Sequence, residues 1–341
     1  MYRTLNKISS KSSYLYLITI AILSIWLISC KFTIYKLNQQ SGNVLSVKRR
    51  GTSQFIKAGN KINCYMFILI MSSPKGALRR TSMRETWIKT NDVNKLKIER
   101  RFIIGTKGLT PNILKELSSE QAKHSDLLLL DDFADSYSKL TEKLLRTILW
   151  IENNVDAKFV MKVDDDSFVR LDKLIPSLSA KEHIGRIYWG FFKGNARIKR
   201  AGAWKETKWF LSDHYLPYAV GGGYVISFDL VTFISSNANY LSLYNSEDVS
   251  MGVWLASIKL NRFHDVRFDT WYKSMGCSNL HIVSHKQQPE DMYAKHNQLT
   301  NNGKLCKVEK ELMLTWDYNW NEFPSNCCSK RVKISSIKTF L

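Results

Sequence analysis

The sequence predicts an α/β domain with a mixed, mostly parallel sheet, preceded by a single transmembrane helix, and three observations lead there. Short apolar runs alternate with helical stretches between residues 64 and 166. A long apolar segment precedes them, over residues 14–32. After residue 185 the pattern turns aromatic, glycine-rich and irregular (RIYWGFF, LPYAVGGGYVIS, SEDVSMGVWLASI), as expected of a second half that builds a pocket onto the same sheet.

Taken in order, residues 1–13 form a short polar tail carrying Arg3, Lys7 and Lys11. The run over 14–32, broken only by Lys31, is about long enough at 1.5 Å per residue to span a hydrocarbon core. It lacks a convincing small-x-small cleavage site, so it reads as an uncleaved anchor. The flanking basic residues set the short end in the cytosol and the rest in the lumen. Residues 33–60 are polar and basic without an apolar period and read as a flexible stem. The folded domain is expected over 61–341. CYMFILIM is a strand buried on both faces, SSPKG a loop, and 78–90 a helix. RRFIIGT is a second strand, and a helix over 112–124 follows Pro111. DLLLLDD is a third strand, 138–153 an amphipathic helix, and AKFVMKVDDD a fourth strand that ends in three carboxylates.

Composition narrows the function classes. Lys and Arg number 50 against 30 Asp and Glu, a net charge of +20, which points to an anionic partner. The basic residues are spread along the chain, and no helix-turn-helix, zinc-finger or RNP-type pattern is present, so nucleic acid is set aside. Of six cysteines, Cys30 falls in the anchor and Cys64 in an apolar run, where it reads as a buried free thiol. Cys277, Cys306, Cys327 and Cys328 suit a disulfide-stapled subregion, and their three possible pairings stay open.

The chemistry concentrates at a few positions. Asp164, Asp165 and Asp166 end an apolar strand, where open parallel sheets bind ligands. Clustered carboxylates repel, and a hard divalent ion shared with a diphosphate relieves them. Glu247 and Asp248 open an expected helix over 249–258, either as caps or with one as a general base. Gly221, Gly222 and Gly223 interrupt an apolar strand, which fits close approach of a ligand or a bulge. Arg80 and Arg84 lie one helical turn apart and suit a diphosphate clamp or a solvated face. Residue type leaves His264, His281 and His285 equal as metal ligands.

The combination RRTSMRETW, DFADSYSKLTEKLL, FVMKVDDDSFVRL, YLPYAVGGGYVIS, SEDVSMGVWL and HKQQPEDM, in this order over about residues 62–330, resembles the β1,3-galactosyltransferase family, glycosyltransferase family 31. RIYWGFFKG, HDVRFDTWY and the Cys-Cys pair are similar to its members that extend the glycosaminoglycan linker. The resemblance implies a GT-A-like nucleotide-sugar-binding domain, UDP-galactose as donor, Mn2+ as cofactor and Golgi membrane residence. It implies the Gal-β1,4-Xyl of proteoglycan core proteins as acceptor. It places metal binding at Asp164, Asp166 and His285, the base at Asp248 beside Glu247, and the nucleotide at Arg80 and Arg84, with Asp165 and Gly222 alongside. Trp189, Trp204 and Tyr218 are candidates either for stacking on acceptor sugars or for the core, and Lys193, Arg197, Lys199 and Arg200 are expected to steer acidic acceptors. An N-acetylglucosaminyltransferase of the same fold and a non-catalytic polyanion-binding protein are the competing readings.

Overall fold

The computed structural model describes residues 61–334 apart from 90, 91 and 94. The tail, anchor and stem expected over 1–60 lie outside the described residues. Among the described residues, no helix is long and apolar enough to cross a membrane.

The first half alternates as the sequence pattern requires. It runs β1 (Ile62–Met71), α1 (Ala77–Glu85), β2 (Asp92–Val93), β3 (Leu96–Gly105), α2 (Pro111–His124), β4 (Leu127–Leu130), α3 (Leu140–Asn154) and β5 (Val155–Asp164). Every residue of β1 from Cys64 to Met71 is buried, as in a strand covered on both faces. Each large apolar side chain so buried stabilises the domain by roughly 1.5–3 kcal/mol. Helix α3 buries Leu144, Ile148 and Ile151 along one stripe, while Glu142 and Arg146 pair across a turn on the other face. Helix α1 stops short of the expected residue 90. Thr86 leaves helical geometry, and its hydroxyl donates back to the Ser82 carbonyl at 2.6 Å.

The second half runs β6 (Phe168–Val169), α4 (Leu171–Ser179), β7 (Ile187–Lys193), β8 (Tyr218–Ser227), α5 (Phe228–Ser236), α6 (Glu247–Trp254) and β9 (Asn261–His264). Then come β10 (Phe268–Asp269), β11 (Gly276–Cys277), β12 (Val283–Ser284), α7 (Pro289–Asn302), β13 (Lys310–Glu311), β14 (Thr315–Trp316) and β15 (Arg331–Val332). Helix α6 begins two residues before the expected 249, so Glu247 and Asp248 form its first turn.

The main sheet has the order β2-β3-β1-β5-β8-β7-β9, with β4 also on β3. Strands β4, β3, β1 and β5 are parallel neighbours, while β8 runs antiparallel to both β5 and β7. The sheet is therefore mixed and mostly parallel. Two registers position the site. Met71 pairs with Asp164, so β1 and β5 end together. Val163 pairs with Gly223, and the next step of that register sets Gly222 against Asp164. A small second sheet, β10-β12-β6, pairs Phe168 with Ser284 and carries His285 to the same edge.

The late cysteines pair as Cys277–Cys306 and Cys327–Cys328. Cys64 is free and buried. Burial, with Glu99 nearby, pushes its thiol up to about 11, so it is inert at neutral pH.

Candidate active site

A cleft of about 1100 Å³ opens where β1 and β5 end. The loop after β1 and Asp164, Asp165 and Asp166 line one part of it. Gly221, Gly222, Glu247, Asp248 and His285 line its middle, and residues of the β7–β8 connection, with Tyr137, Trp271 and Tyr272, line much of the remainder.

Asp164, Asp166 and His285 each point one ligand atom into a group whose members all lie within 4.8 Å of one another. His285 Nε2 stands 3.0 Å from Asp166 Oδ1 and 3.4 Å from Asp164 Oδ2. It is buried and makes no well-directed hydrogen bond. The other ring nitrogen, Nδ1, lies 3.2 Å from the carbonyls of both Thr270 and Trp271. Carbonyls only accept, so Nδ1 carries the proton and Nε2 is the atom turned toward the carboxylates. Burial works against charge on this imidazole, but the two carboxylates outweigh it and lift its pKa to about 9. Two hard oxygen ligands and one oriented imidazole fit a divalent ion such as Mn2+. Lys286, next in the chain, adopts the left-handed backbone region at φ 62° and sends its ammonium to 3.3 Å from Asp166 Oδ2.

Asp165 points elsewhere. It accepts from the Ser72 hydroxyl at 2.8 Å and from Arg79 at 3.0 Å, which ties the loop after β1 to the end of β5. Gly222 is required by its neighbour: a Cβ there would sit 2.6 Å from the His285 ring and 2.8 Å from the Thr270 carbonyl. At Gly221 a Cβ would sit 3.0 Å from a Glu247 oxygen. The glycine run therefore makes room first for the site's own imidazole and carboxylates.

Lys162, which sequence reading passed over as a strand residue, holds the centre. Its buried ammonium lies 2.7 Å from Asp164 Oδ1 and 2.5 Å from Glu247 Oε1, and it donates to the Gly221 carbonyl. Burial opposes its charge, but Asp164 and Glu247 more than compensate and raise its pKa. Glu247 is thus bound as a counterion. Asp248 is not: its carboxylate accepts from the backbone N–H groups of Gly221 and Val249, at 3.0 and 2.8 Å. Burial, and then the negative Glu247, raise its pKa to about 8. A carboxylate tuned this way takes up a proton readily near neutral pH.

Three expectations need correction. Arg80 and Arg84 do not line the cleft. Arg80 is fully buried, with Nε and Nη2 on Glu120 at 2.8 and 2.6 Å and Nη1 on the Ser73 carbonyl. Arg84 grips Asp126 and Glu120. Both are occupied by carboxylates of α2 and of the turn after it, and Arg79, Lys75 and Lys286 are the cations along this part of the cleft. Trp189 is also core: it is fully buried, donates to Asp265 at 3.0 Å and packs edge-on against Phe268. Among the expected stacking residues, Trp204 and Tyr218 do line the cleft, Trp204 half-exposed and hydrogen-bonded to the Tyr137 hydroxyl. Trp271 and Tyr272, packed edge to face at 4.7 Å, join them; no spacing signal distinguished them beforehand. His264 and His281 stand apart from the carboxylates. His264 Nε2 lies 2.8 Å from the Trp316 carbonyl, and burial lowers His281 to about 4.

The galactosyltransferase family model matches residues 78–266. Beta-1,3-galactosyltransferase 6 of Mus musculus is 45% identical over 80% of this chain and 84% of its own length. Beta-1,3-galactosyltransferase 1 of the same species is 28% identical over 69% of this chain and 74% of its own. Beta-1,3-galactosyltransferase GALT1 of Arabidopsis thaliana is 29% identical over 67% of this chain, which spans only 36% of that longer protein. The matched stretch runs through both the acidic end of β5 and the first turn of α6, and the chain belongs to the galactosyltransferase family.

Proposed function

We propose that this chain is an inverting, metal-dependent β1,3-galactosyltransferase. It takes galactose from UDP-galactose and places it on the Gal-β1,4-Xyl of proteoglycan core proteins, at the Golgi membrane. The reading rests on one observation above all: the metal-ligand group Asp164, Asp166 and His285 shares a cleft with a separate carboxylate of raised pKa, Asp248. Likeness to the mouse relative supports the donor and the linkage.

Galactose is α-linked in the donor and β-linked in the product, so one displacement suffices and no protein nucleophile is needed. Asp248 accepts the proton of the acceptor O3 hydroxyl as that oxygen bonds to galactose C1. The bond from C1 to the UDP oxygen breaks, and UDP leaves with the electron pair. A bound Mn2+ would neutralise charge on the leaving diphosphate. Asp164, Asp166 and His285 would hold that ion, and Lys162 engages Glu247 as its counterion, which leaves Asp248 as the proton acceptor. Trp204, Tyr218, Trp271 and Tyr272 offer flat faces for acceptor sugars.

The test is transfer from UDP-galactose or UDP-N-acetylglucosamine to Gal-β1,4-Xyl-β-aglycone, with the product linkage determined. Galactose in β1,3 linkage, lost on chelation and restored by Mn2+, is the expected result. Transfer of N-acetylglucosamine alone, or undiminished turnover after chelation, would overturn the proposal.

A further inference from the structure

Three cations that line the cleft, Arg79, Lys162 and Lys286, face its carboxylates. Arg79 faces Asp165, which is not part of the metal-ligand group. Lys162 faces Asp164 and Glu247 but is almost fully buried, with the Gly221 carbonyl as a third acceptor. Lys286 differs from both. Its ammonium lies 3.3 Å from Asp166 Oδ2, and its side chain is 49% exposed. Among the described residues it is the one half-exposed lysine or arginine paired with a carboxylate of the metal-ligand group.

The backbone holds Lys286 there against its own preference. Successive side chains of an extended strand point to opposite faces. Yet the His285 imidazole and the Lys286 ammonium meet the two oxygens of one carboxylate, Asp166 Oδ1 at 3.0 Å and Oδ2 at 3.3 Å. The left-handed conformation of Lys286, at φ 62°, breaks the alternation, and a residue with a Cβ disfavours it. Both neighbours are pinned. The His285 N–H donates to the Asp269 carbonyl at 2.9 Å, and the Gln287 N–H donates to the Asp166 carbonyl at 2.8 Å. The Gln287 side-chain amide also donates to the His285 carbonyl at 2.8 Å. A strained residue clamped on both sides and aimed at a metal-ligand carboxylate points to a function for its side chain.

A divalent ion held by Asp164, Asp166 and His285 would bring a second positive charge to the carboxylate that the ammonium already faces. Like charges repel, and a long, half-exposed lysine side chain is free to turn away. The reaction brings one new anion to that ion, the diphosphate of the donor. We infer that Lys286 is an exchangeable counterion, which holds Asp166 before metal and donor bind and then passes to the diphosphate. The inference rests on the metal-dependent reading above and adds a residue of this chain to the handling of the leaving group.

Two affinities that should move in opposite directions decide it. Mn2+ binding to the nucleotide-free protein is read by paramagnetic resonance, and binding of UDP and of uridine at saturating Mn2+ by calorimetry. Lys286→Gln removes a competitor of the metal and a partner of the diphosphate together. Mn2+ should therefore bind the nucleotide-free variant about 3- to 10-fold more tightly, while UDP binds about 10-fold more weakly. Uridine, which carries no phosphate, should bind as it does to the parent. Lys286→Asn removes the same charge while suiting the left-handed backbone, and should give the same split. Lys286→Arg keeps the charge and should stay within about 3-fold of the parent on both scales. A residue that only shaped the turn would not separate the two affinities. Both affinities unchanged, both weaker, or only one altered in the uncharged variants would overturn the exchange and leave the proposed reaction standing. Failure of the parent protein to bind Mn2+ and UDP would overturn the reaction and the exchange alike.

Discussion

Replacing Lys162 by methionine keeps the length of the side chain and removes one ammonium from among Asp164, Glu247 and Asp248. The parent group is almost fully buried, with two carboxylate oxygens at 2.7 and 2.5 Å and the Gly221 carbonyl as a third acceptor. Removing one partner of a buried ion pair costs about 3–5 kcal/mol, because the remaining charge stays desolvated. Asp164 keeps His285 as a neighbour, so the lower half of that range applies. For a domain of this size each kcal/mol moves the melting temperature by roughly 2 °C, which gives a fall of about 6–8 °C. A second effect follows from charge. Burial and Glu247 raise the Asp248 pKa to about 8, and Lys162 pulls it down. Without Lys162 that pKa rises further. The base works in its deprotonated form, so kcat/KM rises with pH through this value, and the ascending limb should move to higher pH in the variant. Thermal melting and a pH profile of kcat/KM at saturating Mn2+ measure both. A variant that melts within about 2 °C of the parent and keeps the same limb would refute the account of Lys162 as the site's internal counterion.

Asp248→Asn should fold normally and lose roughly 10²-fold or more in transfer rate with little change in UDP affinity, as single-turnover assays and calorimetry would show; a dead Glu247→Gln beside an active Asp248→Asn would reverse the two roles. Gly222→Ala should cost about 1–3 kcal/mol in stability, because its Cβ has a ring and a carbonyl within 2.8 Å, and should weaken Mn2+ binding measured by paramagnetic resonance as His285 is displaced. Arg80→Met should destabilise the domain by about 3 kcal/mol, because Glu120 loses its buried partner and keeps only Arg84 at 2.7 Å. Arg79→Met, at a third-exposed guanidinium, should change melting by no more than about 1 kcal/mol. Equal melting losses in both arginine variants would contradict their assignment to core and cleft.

The alternating first half of the fold was legible because each strand there is covered on both faces and each helix has a single apolar stripe. Strand ends were legible for the same reason, and so was the acidic cluster that terminates β5. Other features depended on contacts far apart in sequence. A spacing of four put Arg80 and Arg84 on one helix face but could not say that the face meets Glu120 and Asp126. Trp189 looked available for stacking because it lies in an aromatic run, yet both faces of β7 are covered. Three histidines were equivalent by type, and the pairing of β12 with β6 is what brings His285 to the carboxylates. Lys162 sat in an apolar strand two residues before Asp164, but nothing local showed that Glu247 would reach it from the first turn of α6. The cysteine pairing likewise required the chain path, which joins β11 to the segment after α7.

The pairing of β6 with β12 also sets an order of events while the chain is being made. At roughly 5–20 residues per second, Val283 leaves the ribosome on the order of ten seconds after its partner Val169. Through that interval the parallel core can already form, while the three adjacent aspartates stand at its edge with neither the imidazole nor the closing strand. A nascent chain halted before residue 283 would therefore hold every strand of the main sheet beside an exposed acidic rim. Its apolar surface would also be incomplete, because Trp316 and Met292, which cover Phe191 and the first helix, are not yet made.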